Sequence, residues 1–173
     1  ELPTDHTPVT VSTTDGIITL SNGLISVSIN PDGAITSLRN SQRDLFATGD
    51  SAQFTLRQDT PAEYDAWDID MIDANAPAIS LVADSVPVVV ESSPLRATVE
   101  CLFATDASRL VVRYSLCAAS DQLDVSLEAD WHEQERRLQW SLPTDLRALD
   151  ATCGTQFGHV RRARHSNTTW DIA

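Results

Sequence analysis

Acidic side chains crowd one short segment that also carries two aromatic rings. Residues 63–70 read EYDAWDID, and Asp73 follows closely. An EF-hand calcium loop needs oxygen ligands at its first, third and fifth positions. Those positions hold Asp65, Trp67 and Ile69, which excludes that site. Two interpretations stay open: a sugar platform, in which the Trp67 ring stacks on a pyranose while carboxylates accept hydroxyl hydrogen bonds, or a solvated acidic loop with a packed tryptophan.

A histidine and a glutamate next to each other give the beginning of a zinc motif. His132 and Glu133 supply the first two letters of H-E-x-x-H, but the fifth position is Arg136, so the second histidine ligand is missing. A charged rim beside a strand explains these residues better than a metal site, and we assign no catalytic residue and no metal ligand to this chain.

Basic residues gather near the end of the sequence. Arg161, Arg162 and Arg164 lie between His159 and His165. Guanidinium groups bind carboxylates and phosphates through paired hydrogen bonds. The interpretation that we favour is pairing with acidic loops of this domain or of a neighbouring one, and ligand binding is the alternative.

Composition and charge exclude several function classes. The 173 residues include 12 arginines, no lysine and 25 acidic residues, which gives a net charge of −13. Nucleic acids and anionic membrane surfaces are bound by positive charge, so neither is an expected partner. The sequence has no apolar run long enough to cross a bilayer and no basic leader followed by an apolar stretch, and we expect a cytoplasmic protein.

Cysteine usage agrees with a reducing compartment. Cys101, Cys117 and Cys153 are odd in number and widely spaced, which fits neither a disulfide framework nor a metal knuckle. Because Cys101 and Cys117 fall within strand-like runs, we predict that they pack as small hydrophobic residues and are not nucleophiles.

The elements that position these residues are predicted to be strands. Apolar and polar residues alternate with a period of two through 95–103, 110–117 and 123–131, which is typical of half-buried strands. Asn22-Gly23 separates two further strand-like runs and predicts a hairpin. Residues 138–142 also alternate and are predicted as a strand. The pattern indicates an all-β, antiparallel sandwich over residues 15–173, after an extended lead-in or linker over residues 1–14.

Three groups of residues together resemble one enzyme family. They are the opening hairpin at 20–38, the acidic segment at 65–70, and the pair of segments at 130–133 and 157–171. This ordered set resembles the β-domain of the alpha-mannosidases of glycoside hydrolase family thirty-eight, in the branch found in bacteria and fungi. Arg162, Ala163, Arg164 and His165 stand where members of that family carry Arg-Pro-Thr-His.

The resemblance implies a β-supersandwich of the galactose-mutarotase-like kind, truncated at its C-terminus and taken from a larger enzyme. Members of the family cleave alpha-mannosides with retention and use zinc. Their nucleophile and zinc ligands lie in an N-terminal domain, so the resemblance implies no cofactor in this chain and zinc in the full-length enzyme. The implied partners are that catalytic domain, a mannose-containing oligosaccharide and a second copy of the parent enzyme.

For the intact enzyme, the resemblance implies that Trp67, Asp68, Arg162 and His165 lie at or near the interface with the catalytic domain, some of them lining the sugar site. We expect the fragment alone to be inactive.

Two other functions stay open. A stand-alone carbohydrate-binding module would recognise mannose or a glycan through Trp67 and nearby acids. A mutarotase-like epimerase would need paired histidine and glutamate groups in a cleft. His132 with Glu133, and His159 with His165, define such a pair only poorly.

Overall fold

The computed structural model describes residues 7–64 and 69–163, and nearly all of its regular structure is β-strand. One short helix, α1 (Met71–Ala74), lies in the described part. It is far too short to cross a bilayer, and no helix of the described residues is long and apolar enough to do so. The strands are β1 (Thr10–Thr14), β2 (Ile17–Ser21), β3 (Ile25–Ile29), β4 (Ile35–Asn40), β5 (Gln53–Gln58), β6 (Ile79–Ser80), β7 (Val88–Ser92), β8 (Arg96–Ala104), β9 (Arg109–Cys117), β10 (Leu123–Asp130), β11 (Arg136–Ser141), β12 (Asp150–Thr155) and β13 (Gly158–Ala163).

The strands pair antiparallel in four sheets. The first sheet has the order β1-β2-β3-β4, the second β10-β9-β8-β7, the third β11-β5-β6, and the fourth is the hairpin β12-β13. Alternate residues of the first two sheets and of β5 form one buried apolar cluster, which confirms the all-β sandwich. Its largest fully buried side chains include Leu20, Val27, Ile29, Ile35, Val99, Leu110, Val112, Tyr114 and Leu116.

The third sheet is joined to both the first and the second sheet of the sandwich. A bridge between Ile35 and Ala52 links β4 to the stretch just before β5, and a bridge between Ala83 and Phe103 links the stretch after β6 to β8. Phe54 of β5 stacks on Trp140 of β11, with ring centroids 6.0 Å apart. The sandwich therefore fixes where the connection between β5 and β6 begins and where it ends.

The predicted alternation is confirmed most clearly in β8 and β9. Cys101 and Phe103 are buried on β8, and Val112 and Tyr114 on β9. The alternation is weaker in β10, where Leu127 is 42% exposed. The reason is that β10 lies at the edge of its sheet and pairs with β9 alone among the described strands. Its inward-facing side chains therefore have a neighbouring strand on one side.

Of the predicted lead-in over residues 1–14, residues 1–6 lie outside the described residues, and the structure differs at Thr10–Thr14. Thr10–Thr14 form β1, which pairs with β2 from Thr10 opposite Ser21 to Thr14 opposite Ile17. Val9 is buried just before this strand. The threonine and serine residues that suggested a linker are β-branched or small, and they suit the outer face of an edge strand.

One buried side chain ties the first two sheets together at the β2–β3 turn. The Asn22 amide nitrogen donates hydrogen bonds to the carbonyl oxygens of Cys117 and Ser120, each at 2.7 Å, in the turn between β9 and β10. The amide oxygen accepts hydrogen bonds from the backbone N–H groups of Leu24 and Ile25, each at 3.0 Å. All four hydrogen-bonding positions of the amide are used. Asn22 thus connects two turns that belong to opposite sheets.

A second tie lies at the other end of β3, in the turn before β4. Gly33 has φ of 80°, and a Cβ atom there would lie 2.7 Å from the Phe103 ring. The buried Tyr114 hydroxyl donates a hydrogen bond to the Gly33 carbonyl oxygen at 3.2 Å. The turn can approach the second sheet this closely because residue 33 has no side chain.

We predict that Asn22→Ala lowers the free energy of unfolding by about 3 kcal/mol, because it leaves buried carbonyl and N–H groups without partners. Asn40→Ala is the matched control: its amide oxygen accepts hydrogen bonds from the N–H groups of Gln42 and Arg43, but Asn40 is exposed and water replaces it, so we expect a loss below about 1 kcal/mol. Equilibrium urea unfolding measures both. Equal losses in the two variants would contradict the role given to Asn22.

Candidate functional site

Two of the described acids of the acidic segment, Asp70 and Asp73, bind the chain's own backbone. Asp73 of α1 is buried, and its carboxylate accepts hydrogen bonds from the Thr60 N–H at 2.5 Å and from the Thr60 hydroxyl at 3.2 Å. Asp70, at the start of α1, accepts a hydrogen bond from the Ala62 N–H at 2.9 Å. These two carboxylates fasten α1 to the stretch that follows β5. Asp73 is buried, whereas Asp70 is half-exposed.

Two arginines lie side by side on the third sheet, close to the described residues that follow β5 and α1. Arg57 of β5 and Arg137 of β11 are directly opposite each other in the strand register. Arg57 donates a hydrogen bond to the Ala76 carbonyl oxygen, just after α1. The Arg137 Nη1 atom lies 3.9 Å from the Asp59 Oδ1 atom, close enough for attraction between the charges but too long for a hydrogen bond. The Arg137 Nε and Nη1 atoms and Asp59 Oδ1 are buried and have no hydrogen-bond partner within the described part of the chain.

Three clefts are lined in part by described residues that follow β5 or lie in and around α1. The first, of about 230 Å³, is lined by Arg57, Ile69, Ala74, Arg137 and Gln139. The second, of about 390 Å³, is lined by Asp59, Thr60, Pro61, Glu135 and Arg136. The third, of about 650 Å³, is lined by Gln58, Met71, Ile72, Asp73, Asn75, Ala76 and Pro77. Guanidinium and hydroxyl groups of this kind can bind a carboxylate or a sugar hydroxyl.

The sequence did not indicate Arg57, Arg137 or Asp59 as site residues. Arg57 and Arg137 are far apart in the chain and meet only because β5 pairs with β11. The one local signal is that both are charged residues within strand-like runs, and it does not show which strands are neighbours.

Of the four predicted site residues, the structure describes one. Arg162 lies on β13 opposite Ala151 of β12 and is exposed. Trp67, Asp68 and His165 lie outside the described residues, and their grouping with Arg162 stays a prediction.

Glu133 has a structural role in the turn between β8 and β9. Its Oε1 atom accepts hydrogen bonds from the Thr105 hydroxyl, from the Ala107 N–H at 3.2 Å and from the Ser108 hydroxyl at 3.3 Å. The hydrogen bond from Thr105, with those from Ala107 and Ser108, lowers the pKa of Glu133, although burial opposes this. The neighbouring His132 ring bonds to Asp130 at 2.9 Å. The charged-rim interpretation describes this geometry.

The positions of the histidine, cysteine and acidic side chains show whether the described residues could hold a metal ion or a reactive thiol. Within residues 7–64 and 69–163, no group of three or more histidine, cysteine or acidic side chains is placed to hold a metal ion. All three cysteines are free thiols. Burial, with a smaller contribution from the Glu100 charge, raises the pKa of the Cys101 thiol to about 12. Cys101 therefore packs as a small hydrophobic residue, as predicted, and is not a nucleophile at neutral pH.

Comparison with known proteins gives one family and consistent relatives. The family model for the glycosyl hydrolases family 38 C-terminal domain matches residues 20–173. The chain is similar to alpha-mannosidase 2C1 of Mus musculus, with 34% identity over 165 residues that make up 92% of this chain and 16% of that protein. It is also 34% identical to alpha-mannosidase 2C1 of Homo sapiens, over 94% of this chain and 16% of that protein. Alpha-mannosidase G of Dictyostelium discoideum is 26% identical, over 91% of this chain and 15% of that protein. The chain thus spans about a sixth of the length of these curated relatives.

We predict that Glu133→Gln destabilises the fold at neutral pH and that its effect fades in acid. Because folding lowers the pKa of Glu133, the stabilisation is complete above the ordinary value of 4.5 and is lost as the pH falls through the lower folded value. Thermal unfolding of both proteins from about pH 7 to about pH 3 measures this difference. A difference in Tm that stays constant over that range would contradict the role of the ionised carboxylate.

Proposed function

Because this chain belongs to the C-terminal domains of glycosyl hydrolase family 38, we propose that it is a non-catalytic β-sandwich of a retaining, zinc-dependent alpha-mannosidase. In the full-length enzyme it supports the catalytic domain and helps to complete the sugar site. One observation carries the proposal: the family match extends over residues 20–173, while the same chain spans 16% of the alpha-mannosidases to which it is similar.

The hydrogen bonding of the described acids supports placing the catalytic carboxylates outside this chain. Retaining glycosidases use two carboxyl groups about 5–5.5 Å apart, one as nucleophile and one as acid and base. Here Asp70, Asp73 and Glu133 each accept hydrogen bonds from backbone N–H groups. The carboxylates of Asp70 and Asp73 are held by the chain's own backbone. The hydrogen bonds to Glu133 lower its pKa and favour its ionised form, whereas a general acid must hold a proton. These three acids are therefore structural groups.

The zinc ion of the proposed enzyme has no ligand set among the described residues. The residues of this part of the chain do not fit a zinc centre, and we assign none of them to one. In the proposal, the metal belongs to the part of the polypeptide that lies outside this chain.

Arg162 is the described residue through which this chain contributes to the proposed sugar site. It is exposed on β13, whereas the neighbouring Arg161 forms an ion pair with Asp150 at 2.5 Å. An exposed guanidinium group can bind sugar hydroxyls or a carboxylate of the catalytic domain. In the proposal, Trp67, Asp68 and His165 lie beside it, with the Trp67 ring stacked on a pyranose.

A carbohydrate-binding module is the second candidate, and the clefts of the third sheet favour it over the epimerase. The cleft of about 230 Å³ adjoins Ile69, directly after Asp68, and offers two guanidinium groups. The cleft of about 390 Å³ offers one guanidinium group and one hydroxyl group. An epimerase would need free histidine and glutamate groups, but His132 bonds to Asp130 and Glu133 bonds to Thr105. Saturable binding of mannosides by this chain alone would favour the binding module.

We predict that Arg162→Ala in the full-length enzyme lowers kcat/KM for an aryl alpha-mannoside by about tenfold or more, because the substitution removes a charged contact at the sugar site or beside it. Arg43→Ala is the matched control, since Arg43 is an exposed residue of the turn after β4 and carries the same charge. Steady-state kinetics of purified enzymes measures both. Equal kcat/KM values for the two variants would contradict a role for Arg162 at the site.

A further inference from the structure

The hairpin formed by β12 and β13 stands apart from the other sheets. Its two strands pair with each other and with no other described strand. All six residues of β13 are exposed, so neither face of that strand is covered by the rest of the described chain. An isolated two-stranded hairpin is at best marginally stable in water. A hairpin of this kind needs a surface to pack against.

The tip of the hairpin carries Phe157, a large apolar side chain that is unfavourable in solvent unless its ring contacts a partner surface. Phe157 is fully exposed and has φ of 63°, in the left-handed region. Bulky residues rarely adopt this conformation, which glycine adopts without strain. The chain therefore holds a large apolar ring at the cost of backbone strain, and it presents that ring to solvent. Strain of this kind points to a binding role.

The rest of the hairpin is basic on a chain that is strongly acidic. His159 and Arg162 are exposed on β13, and Arg161 is already paired with Asp150. The whole chain has a net charge of −13. Leu149, immediately before β12, adds a second exposed apolar side chain. The surface that fits this hairpin has an apolar recess for the ring and carboxylates around it.

We propose that the β12–β13 hairpin is a docking arm whose Phe157 ring seats in an apolar recess of the parent polypeptide, outside this chain. An acidic rim of that recess meets His159 and Arg162. This inference rests on the proposed function, since the occupant is the remainder of the alpha-mannosidase chain. The relatives are about six times as long as this chain. The hairpin is exposed, its backbone is strained at Phe157, and it carries basic side chains. These three features identify it as the element that makes the contact.

Hydrogen exchange of the amides of residues 158–163, measured in the full-length polypeptide, tests the docking arm. Phe157→Gly relieves the left-handed strain, so an unpartnered hairpin would keep or gain protection. A docked hairpin loses its anchor instead, and we expect exchange at least about tenfold faster. Phe157→Tyr keeps the ring and should restore most of the protection.

Asp15→Gly is the matched control. Asp15 also has a positive φ, of 51°, at the tip of the β1–β2 hairpin, and its substitution should leave exchange of residues 158–163 unchanged. Unchanged or slower exchange in Phe157→Gly overturns the proposal, and so does protection that depends on protein concentration, which would identify a second copy as the occupant.

The mannosidase activity of the wild-type polypeptide is a separate readout in the same experiment. Faster exchange in Phe157→Gly without activity in the wild type supports the docking arm and contradicts the enzyme assignment. Activity in the wild type with unchanged exchange supports the enzyme assignment and overturns the docking arm.

Discussion

The relative position of the two main sheets depends on the amide of Asn22. Its four hydrogen bonds join the turn after β2 to the turn after β9. At the other end of β3, Gly33 contacts Phe103 and accepts a hydrogen bond from Tyr114. Apolar packing alone is non-directional and lets two sheets slide over each other, so these polar ties at both ends of β3 set their alignment. The third sheet is bridged to both of these sheets, so its position follows from their alignment.

Much of the fold could be predicted because a strand has a side-chain period of two. The rows that include Val112 and Tyr114 show this period directly in the sequence, and both residues are buried. The period fails where hydroxyl residues replace the apolar row, as in Thr10–Thr14, and the sequence therefore indicates a lead-in there. The role of Asn22 could not be predicted either, because Asn-Gly indicates a turn and says nothing about carbonyl groups 95 residues away.

The candidate site was less predictable than the fold. The acidic segment stands out by composition, yet Asp73 turns inward to bind Thr60, which no local pattern indicates. Arg57 and Arg137 meet only through the pairing of β5 with β11. Resemblance to a family supplied what these physical arguments could not, and the family match over residues 20–173 confirms that family. Chemistry that depends on groups outside the chain cannot be read from its own residues.

The central claim is that this sandwich is one part of a much larger alpha-mannosidase. The most direct test is to detect the native polypeptide that carries these residues, measure its mass, and assay the same purified band with an aryl alpha-mannoside before and after a zinc chelator. The account predicts a band several times heavier than the 18.9 kDa of this chain, with activity that the chelator removes and added zinc restores. A band near that mass, without activity, would contradict it.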